Sequence, residues 1–284
     1  KCGICPLEAD KSCARRTASC SKSGKATFST VSEAVKSRLF FSPEVTYLRN
    51  MELSPRLRSV AELVPRGARF ADVGTDHAYL PVWLLQRGVI SRAVVSDLRQ
   101  GPLDRARSTA EKYGLTNQMD FRLCDGLSAI RPEEADTIAI AGMGGETVAA
   151  ILAAAPWIWE RDCLLLLQPM SAQPFLRQWL QAHGYAIRRE VLSREGDTIY
   201  TIFVVRAGPM RELTPAELWA GCQQEGEQAS LRTDYLNRLL HQTERAAAGL
   251  RRSTRAEDAQ RLAEMEQVYQ GLLDMKEEWL SWQR

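Results

Sequence analysis

The stretch Arg69-Phe-Ala-Asp72-Val-Gly74-Thr75-Asp76-His77-Ala-Tyr79-Leu-Pro81 reads as a strand that stops abruptly and hands over to a helix. Residues 69–73 are a short apolar run suited to a strand buried on both faces, and Gly74 closes it. Pro81 fits the first turn of a helix reaching about Gln86, with Gly88 beyond its end. The same unit then recurs. Residues 93–96 form a second strand ended by Asp97, and 103–113 a helix followed by Gly114. Third and fourth strands occupy 119–123 and 137–141, with a helix at 146–154. A fifth strand at 164–168 leads to a helix at 172–182, which His183-Gly184 stops. Residues 185–192 and 198–205 pair as a hairpin about Gly196-Asp197. Alternation of this kind predicts an α/β fold with an open, doubly wound, seven-stranded sheet, mostly parallel, with an antiparallel hairpin at one edge.

Outside this region the sequence changes character on both sides. Met51 opens a helical pattern (Leu53, Leu57, Val60, Leu63, Val64) that runs into the first strand. Residues 1–50 carry nine Lys or Arg against four Asp or Glu, while the whole 284-residue chain has a net charge of only +2. They are expected to be an additional segment, disordered or upstream of a natural start at Met51. Cys2, Cys5, Cys13 and Cys20 fall within it. Four thiolates suit zinc, but the second pair is widely spaced and no His stands nearby, so no metal is expected. On the other side, Thr214-Pro215-x-Glu217 has the N-cap, proline and acid of a helix start. Leu218, Cys222, Ala229, Leu236 and Leu239 fall near one face of a long helix beginning there. A polar link at 249–254 precedes a second helix whose Leu262, Met265, Tyr269, Leu272, Met275 and Trp279 recur at spacings of three and four. Residues 208–284 are therefore expected to form an antiparallel helical hairpin, a short coiled coil, appended to a domain spanning 51–207.

The hydrophobic content of 45% rules out a disordered chain, and no apolar run is long enough to span a membrane. In an open α/β sheet the ligand sits beyond the carboxyl ends of the strands. There, no G-x-G-x-x-G follows the first strand, which disfavours a dinucleotide. Asp72 and Asp76 would repel phosphate and suit a cation, such as the α-ammonium and sulfonium of S-adenosyl-L-methionine. Gly74 and Thr75 would let that ligand approach the backbone. Asp97 stands where an acid accepts ribose hydroxyls, and Asp125-Gly126 where an adenine amino group could donate. Ala141-Gly142-Met143-Gly144-Gly145 offers bare backbone against which a flat base could lie, and Gln168 an amide able to read a base edge. Each acid alone could equally serve a cap or a turn. Four of them at the ends of three consecutive strands are harder to dismiss.

Taken together these residues resemble the bacterial TrmK family of tRNA (adenine-22-N1)-methyltransferases. The match runs from Leu53-Ser54-x-Arg56-Leu57 through the Gly74–Pro81 string, Ser96-Asp97, Asp125-Gly126-Leu127, Ala141–Gly145, Leu167-Gln-Pro-Met170 and Leu176-Arg177-x-Trp179-Leu180 to Glu195 and Tyr200. The resemblance implies a Rossmann-like class I methyltransferase, with S-adenosyl-L-methionine as cofactor and tRNA as partner, in a cytoplasmic and monomeric protein. It implies that Asp76, His77, Tyr79 and Gln168 shape the reacting site. Arg56, Asp72, Gly74, Thr75, Asp97, Asp125, Gly126, Gly142 and Met143 would hold the cofactor, Arg56 through its carboxylate. On the hairpin, Arg232, Arg238, Arg245, Arg251, Arg252 and Arg255 would contact tRNA. Two other readings stay open at this point: a methyltransferase with a non-RNA acceptor, and an RNA-binding module with a degenerate pocket.

Overall fold

A computed structural model describes residues 50–225 and 229–283. The expectations for 1–49, including the four clustered cysteines, lie outside the described residues. The elements in chain order are α1 (Pro55–Ala61), β1 (Phe70–Val73), α2 (Tyr79–Gln86), β2 (Ala93–Asp97), α3 (Gln100–Lys112), β3 (Met119–Leu123), β4 (Thr137–Gly144) and α4 (Gly145–Ala153). After these come α5 (Trp157–Glu160), β5 (Leu164–Ser171), α6 (Gln173–Ala182), β6 (Tyr185–Glu195), β7 (Thr198–Ala207), α7 (Pro215–Ala220), α8 (Ala229–Leu250) and α9 (Ala256–Trp282). The seven strands are ordered β3-β2-β1-β4-β5-β7-β6. The first five are parallel, and β7 pairs antiparallel with both β5 and β6. This is the doubly wound sheet with an edge hairpin that the alternation predicts.

Alternating side chains of the buried strands feed two cores. Phe70 and Val95 pack with Leu80, Leu84 and Ala106 of α2 and α3 on one face. Ala71, Val73 and Ile140 pack with Val148, Leu152 and Leu176 of α4 and α6 on the other. The chain winds outward from β1 through β2 to β3, then crosses back to β4 and β5. A crevice therefore opens where β1 and β4 end.

Two strands run past their expected ends. β4 continues through Gly144 rather than stopping at Ala141, and β5 reaches Ser171 rather than Gln168. Their pairing slips on both sides of Met143, so the glycine segment is a bulged strand edge and not a free loop.

The hairpin of long helices also needs correction at its start. No single helix begins at Thr214: α7 ends at Ala220, and α8 starts only at Ala229. Two buried arginines stabilise the break. Arg177 Nη1 donates to the carbonyls of Leu218 (2.7 Å) and Trp219 (3.0 Å). Arg232 Nη1 and Nη2 donate to those of Ala220 (2.8 Å) and Gly221 (3.2 Å). These bonds satisfy carbonyls that a helix end leaves unpaired. Arg232 is therefore a structural residue, buried, and not the tRNA contact expected of it. Beyond the break, Leu236, Leu239, Val268, Leu272 and Trp279 form the seam between α8 and α9, and Leu192 and Ile199 of the edge hairpin join the same core.

Arg177 is fully buried and forms a bidentate pair with Glu190, Nε to Oε1 at 2.9 Å and Nη2 to Oε2 at 2.6 Å. Replacing Arg177 with Met would leave Glu190 without its cation and strand two carbonyls. Urea denaturation is expected to show a loss of about 3–5 kcal/mol, the usual result of breaking a buried pair. A loss below about 1 kcal/mol, the range of exposed pairs, would contradict this account of the α7 junction.

Candidate active site at the carboxyl ends of the strands

Asp72 sits inside β1, beside Val95 of β2 and Ala139 of β4. Its side chain is 7% exposed. Burial raises the carboxyl from 3.8 to about 6, and a hydrogen bond with the Thr75 side chain opposes part of that rise. Among the described residues no basic side chain pairs with it. Thr75 Oγ1 also accepts from Ala78 N at 3.0 Å, which fixes the turn into α2. Ala78 takes a left-handed conformation there (φ 53°), a strain of about 1–2 kcal/mol for a residue with a Cβ. Gly74 holds φ at +74°, a conformation that side chains rarely adopt, and its missing Cβ leaves room for Met143 Cε, which would stand 1.9 Å from it. The Met143 side chain thus lies across the end of β1.

Gly74, Asp97, Asp125, Gly126 and Met143 line one cleft of about 260 Å³. Local hydrogen bonds hold its walls. Asp97 Oδ1 accepts from Arg99 N at 2.8 Å, Cys124 N donates to Asp97 O at 3.1 Å, and Ser96 Oγ donates to Gly126 O at 3.1 Å. Leu98, Arg99, Cys124, Thr147 and Ile151 also line it, and sequence reasoning did not single them out. Leu98, directly after Asp97, is 65% exposed, an apolar side chain left open at the mouth of the cleft. The wider groove at the opposite end of the strands is different in kind. Its Arg69, Arg92, Arg122 and Arg131 are already paired with carboxylates.

A second group gathers where β4 and β5 end. Gln168 is fully buried, and its Oε1 accepts from Arg56 Nη1 (2.5 Å) and from Gly142 N (3.1 Å). Its Nε2 donates to Pro169 O at 3.1 Å. The amide is therefore occupied internally, which corrects the expectation that it reads a base edge. The Arg56 guanidinium lies 5.5 Å from the centre of the Tyr200 ring, and its backbone N donates to Glu195 Oε2 at 3.4 Å. Gly145 closes the other side of the floor, because a Cβ there would meet Ala172 O at 2.5 Å.

At the rim, His77 and Tyr79 stack with ring centres 4.9 Å apart and planes 10° from parallel. His77 Nε2 lies 3.4 Å from Asp76 Oδ2. Asp76 is exposed and not the bare carboxylate expected. Arg105 of α3 donates to its Oδ1 from Nε at 2.9 Å and also from Nη2. Nothing in the spacing of residues 76 and 105 announces that partner. Among the described residues no group of three or more His, Cys, Asp or Glu could hold a metal ion, and no helix is long and apolar enough to cross a membrane.

Comparison with known proteins agrees with this geometry. A family model described as a methyltransferase domain matches residues 53–203. The tRNA (adenine(22)-N(1))-methyltransferase of Bacillus subtilis is 39% identical over 161 residues, which cover 57% of this chain and 68% of the relative. The crystal structure of the B. subtilis m1A22 tRNA methyltransferase TrmK superposes with a TM-score of 0.71 at 31% identity, covering 80% of this chain and 99% of that one. The structure of M. capricolum TrmK in complex with S-adenosyl-homocysteine gives a TM-score of 0.63 at 26% identity, covering 77% of this chain and 98% of that one. With a buried acid at its β1 end, further acids ending β2 and following β3, and a bare-backbone floor at β4, this chain belongs to the methyltransferase-domain family, among the tRNA (adenine(22)-N(1))-methyltransferases.

Proposed function

We infer that this chain transfers a methyl group from S-adenosyl-L-methionine to N1 of adenine 22 in tRNA. The observation that carries the reading is the pairing of two features at one switch point: an acid-lined cleft at β1–β3, and a glycine-rich floor where β4 ends beside β5. The residues present fit the cofactor. Asp72 is a buried carboxylate lacking a protein cation, as a cationic ligand requires, and the flexible Met143 side chain fills the space above Gly74. Asp97 would take the ribose hydroxyls, and Asp125 with Gly126 the adenine edge. The backbone of Gly74 and Thr75 would line the amino-acid end, with Gly142 beneath and Arg56 facing the carboxylate. S-adenosyl-L-methionine supplies the electrophilic methyl group.

The chain's own task is placement. Adenine N1 carries a lone pair and no proton, so no side chain has to remove one. The protein must hold the base in line and keep water out, and such positioning is worth several kcal/mol. The backbone at 142–145 gives the base a flat support, and the stacked His77–Tyr79 pair gives it a rim. Asp76 would offset charge arriving on the base only in part, because Arg105 already draws on its carboxylate. A base inside folded tRNA has to leave its stack to reach this floor. Residues 51–207 would carry the transfer and 208–284 would grip the tRNA, through Arg238, Arg245, Arg251, Arg252 and Arg255. Arg251 is already paired with Glu266, so its share in phosphate contact is the smallest. The chain would work as a monomer.

Purified protein incubated with unmodified tRNA and labelled cofactor is expected to give 1-methyladenosine at position 22 on nucleoside and fragment mass spectrometry. Label on protein or on a small molecule alone would overturn the reading.

Asp72 supplies a pH test. The carboxyl titrates near 6 in the folded chain, so it is ionised above that value and loses its pull on a cationic ligand below it. Cofactor affinity is expected to fall as pH drops from 7.5 to about 5.5, with protons released on binding near pH 6. Asp72→Asn should bind weakly with no pH dependence over that range, measured by calorimetry. Stability moves the other way. A raised carboxyl stabilises the apo fold below 3.8 and loses that contribution as pH rises through about 6. The cofactor-free Asn variant should therefore melt higher than wild type at pH 7.5, where the ionised acid costs roughly 3 kcal/mol. A lower melting temperature would contradict the burial argument.

A further inference from the structure

We propose that Gln168 is a positioning residue: it aims Arg56 at the cofactor's carboxylate while pinning the Gly142 amide of the acceptor floor. This rests on the reading above, in which Arg56 faces that carboxylate.

An amide oxygen can accept two hydrogen bonds. It has two lone pairs, and in Gln168 both are used, one by Arg56 Nη1 and one by Gly142 N. The amide cannot be turned over, because its NH₂ would then face two donors and lose the Pro169 carbonyl. Gln168 is fully buried and stands opposite Ala141 in the β4–β5 pairing, so its own backbone is fixed by the sheet. One oxygen therefore ties a residue of α1 to the bulged edge of β4.

The anchor also decides which part of the guanidinium is left over. Nη1 is committed to Gln168, the Tyr200 ring lies 5.5 Å from the guanidinium carbon, and Glu195 accepts from the Arg56 backbone. Nε and Nη2 make no hydrogen bond among the described residues. Those two N–H groups form a fork that matches a carboxylate. A neutral amide orients the fork without cancelling its charge, which a glutamate at 168 would do. The same residue thus serves the donor side and the acceptor side of the reaction.

The test compares S-adenosyl-L-methionine with its decarboxylated analogue, which keeps the sulfonium and the amine. Calorimetry on the full chain should show wild type preferring the carboxylated form by about tenfold or more, as expected of a charge-assisted pair. Gln168→Leu should bring that preference close to one while leaving affinity for the decarboxylated form nearly unchanged. Gln168→Glu covers the case in which the Leu variant does not fold. It keeps both acceptors, and its charge engages Arg56, so the preference should fall there too. Retention of the wild-type preference in a folded Gln168 variant would overturn the proposal, as would an equal loss of affinity for both ligands. Arg56→Gln separates the two layers. If it keeps the preference, the assignment of Arg56 itself is wrong; if it loses the preference and the Gln168 variants do not, only the positioning role falls.

Discussion

The whole site depends on one topological constraint, the reversal of winding between β1 and β4. Strands β2 and β3 extend the sheet to one side of β1, and β4 and β5 extend it to the other. Helices α2 and α3 cover one face while α4 and α6 cover the opposite one. At the reversal, neither set of helices closes the strand ends, and the chain must leave β1 and β4 through tight, glycine-dependent turns. Everything with a chemical role here hangs from those two exits: the Asp72–Ala78 turn on one, the bulged Ala141–Gly145 edge on the other.

Burial then separates the polar groups into two kinds. Among the described residues Arg177 is as buried as any charged side chain, but Glu190 and two carbonyls take up its donors, and it holds the C-terminal helices in place. Asp72 is buried with only a hydroxyl for company, and its carboxyl is displaced toward neutrality as a result. The first arrangement is self-sufficient. The second is incomplete, and incompleteness of this kind is what a ligand site looks like in physical terms. Gln168 stands between the two: its own hydrogen bonds are complete, yet it leaves half of the Arg56 guanidinium free.

The ends of β1, β2 and β3 were legible in the sequence because a buried parallel strand is a short apolar run whose last residues are forced into the crevice. That logic placed Asp97, Asp125, Gly126 and Met143 around one cleft with Gly74. It could not find Arg105, whose partner Asp76 is 29 positions away with no periodicity linking them. It misplaced the amide of Gln168, since a polar residue ending a strand looks the same whether it faces a ligand or an arginine from another element. The helical pattern from Thr214 onward hid the break before Ala229, because a helix end capped by distant arginines leaves no local signature. For the same reason Arg232 looked like a surface cation.

A crystal structure of this chain with S-adenosylhomocysteine tests the central claim most directly. The account predicts the adenosine between Asp97 and Gly126, the amino-acid end running past Gly74 toward Asp72 and Arg56, and the Met143 side chain moved aside. A nucleoside bound along any other face of the sheet, with Met143 still packed on Gly74, would contradict it.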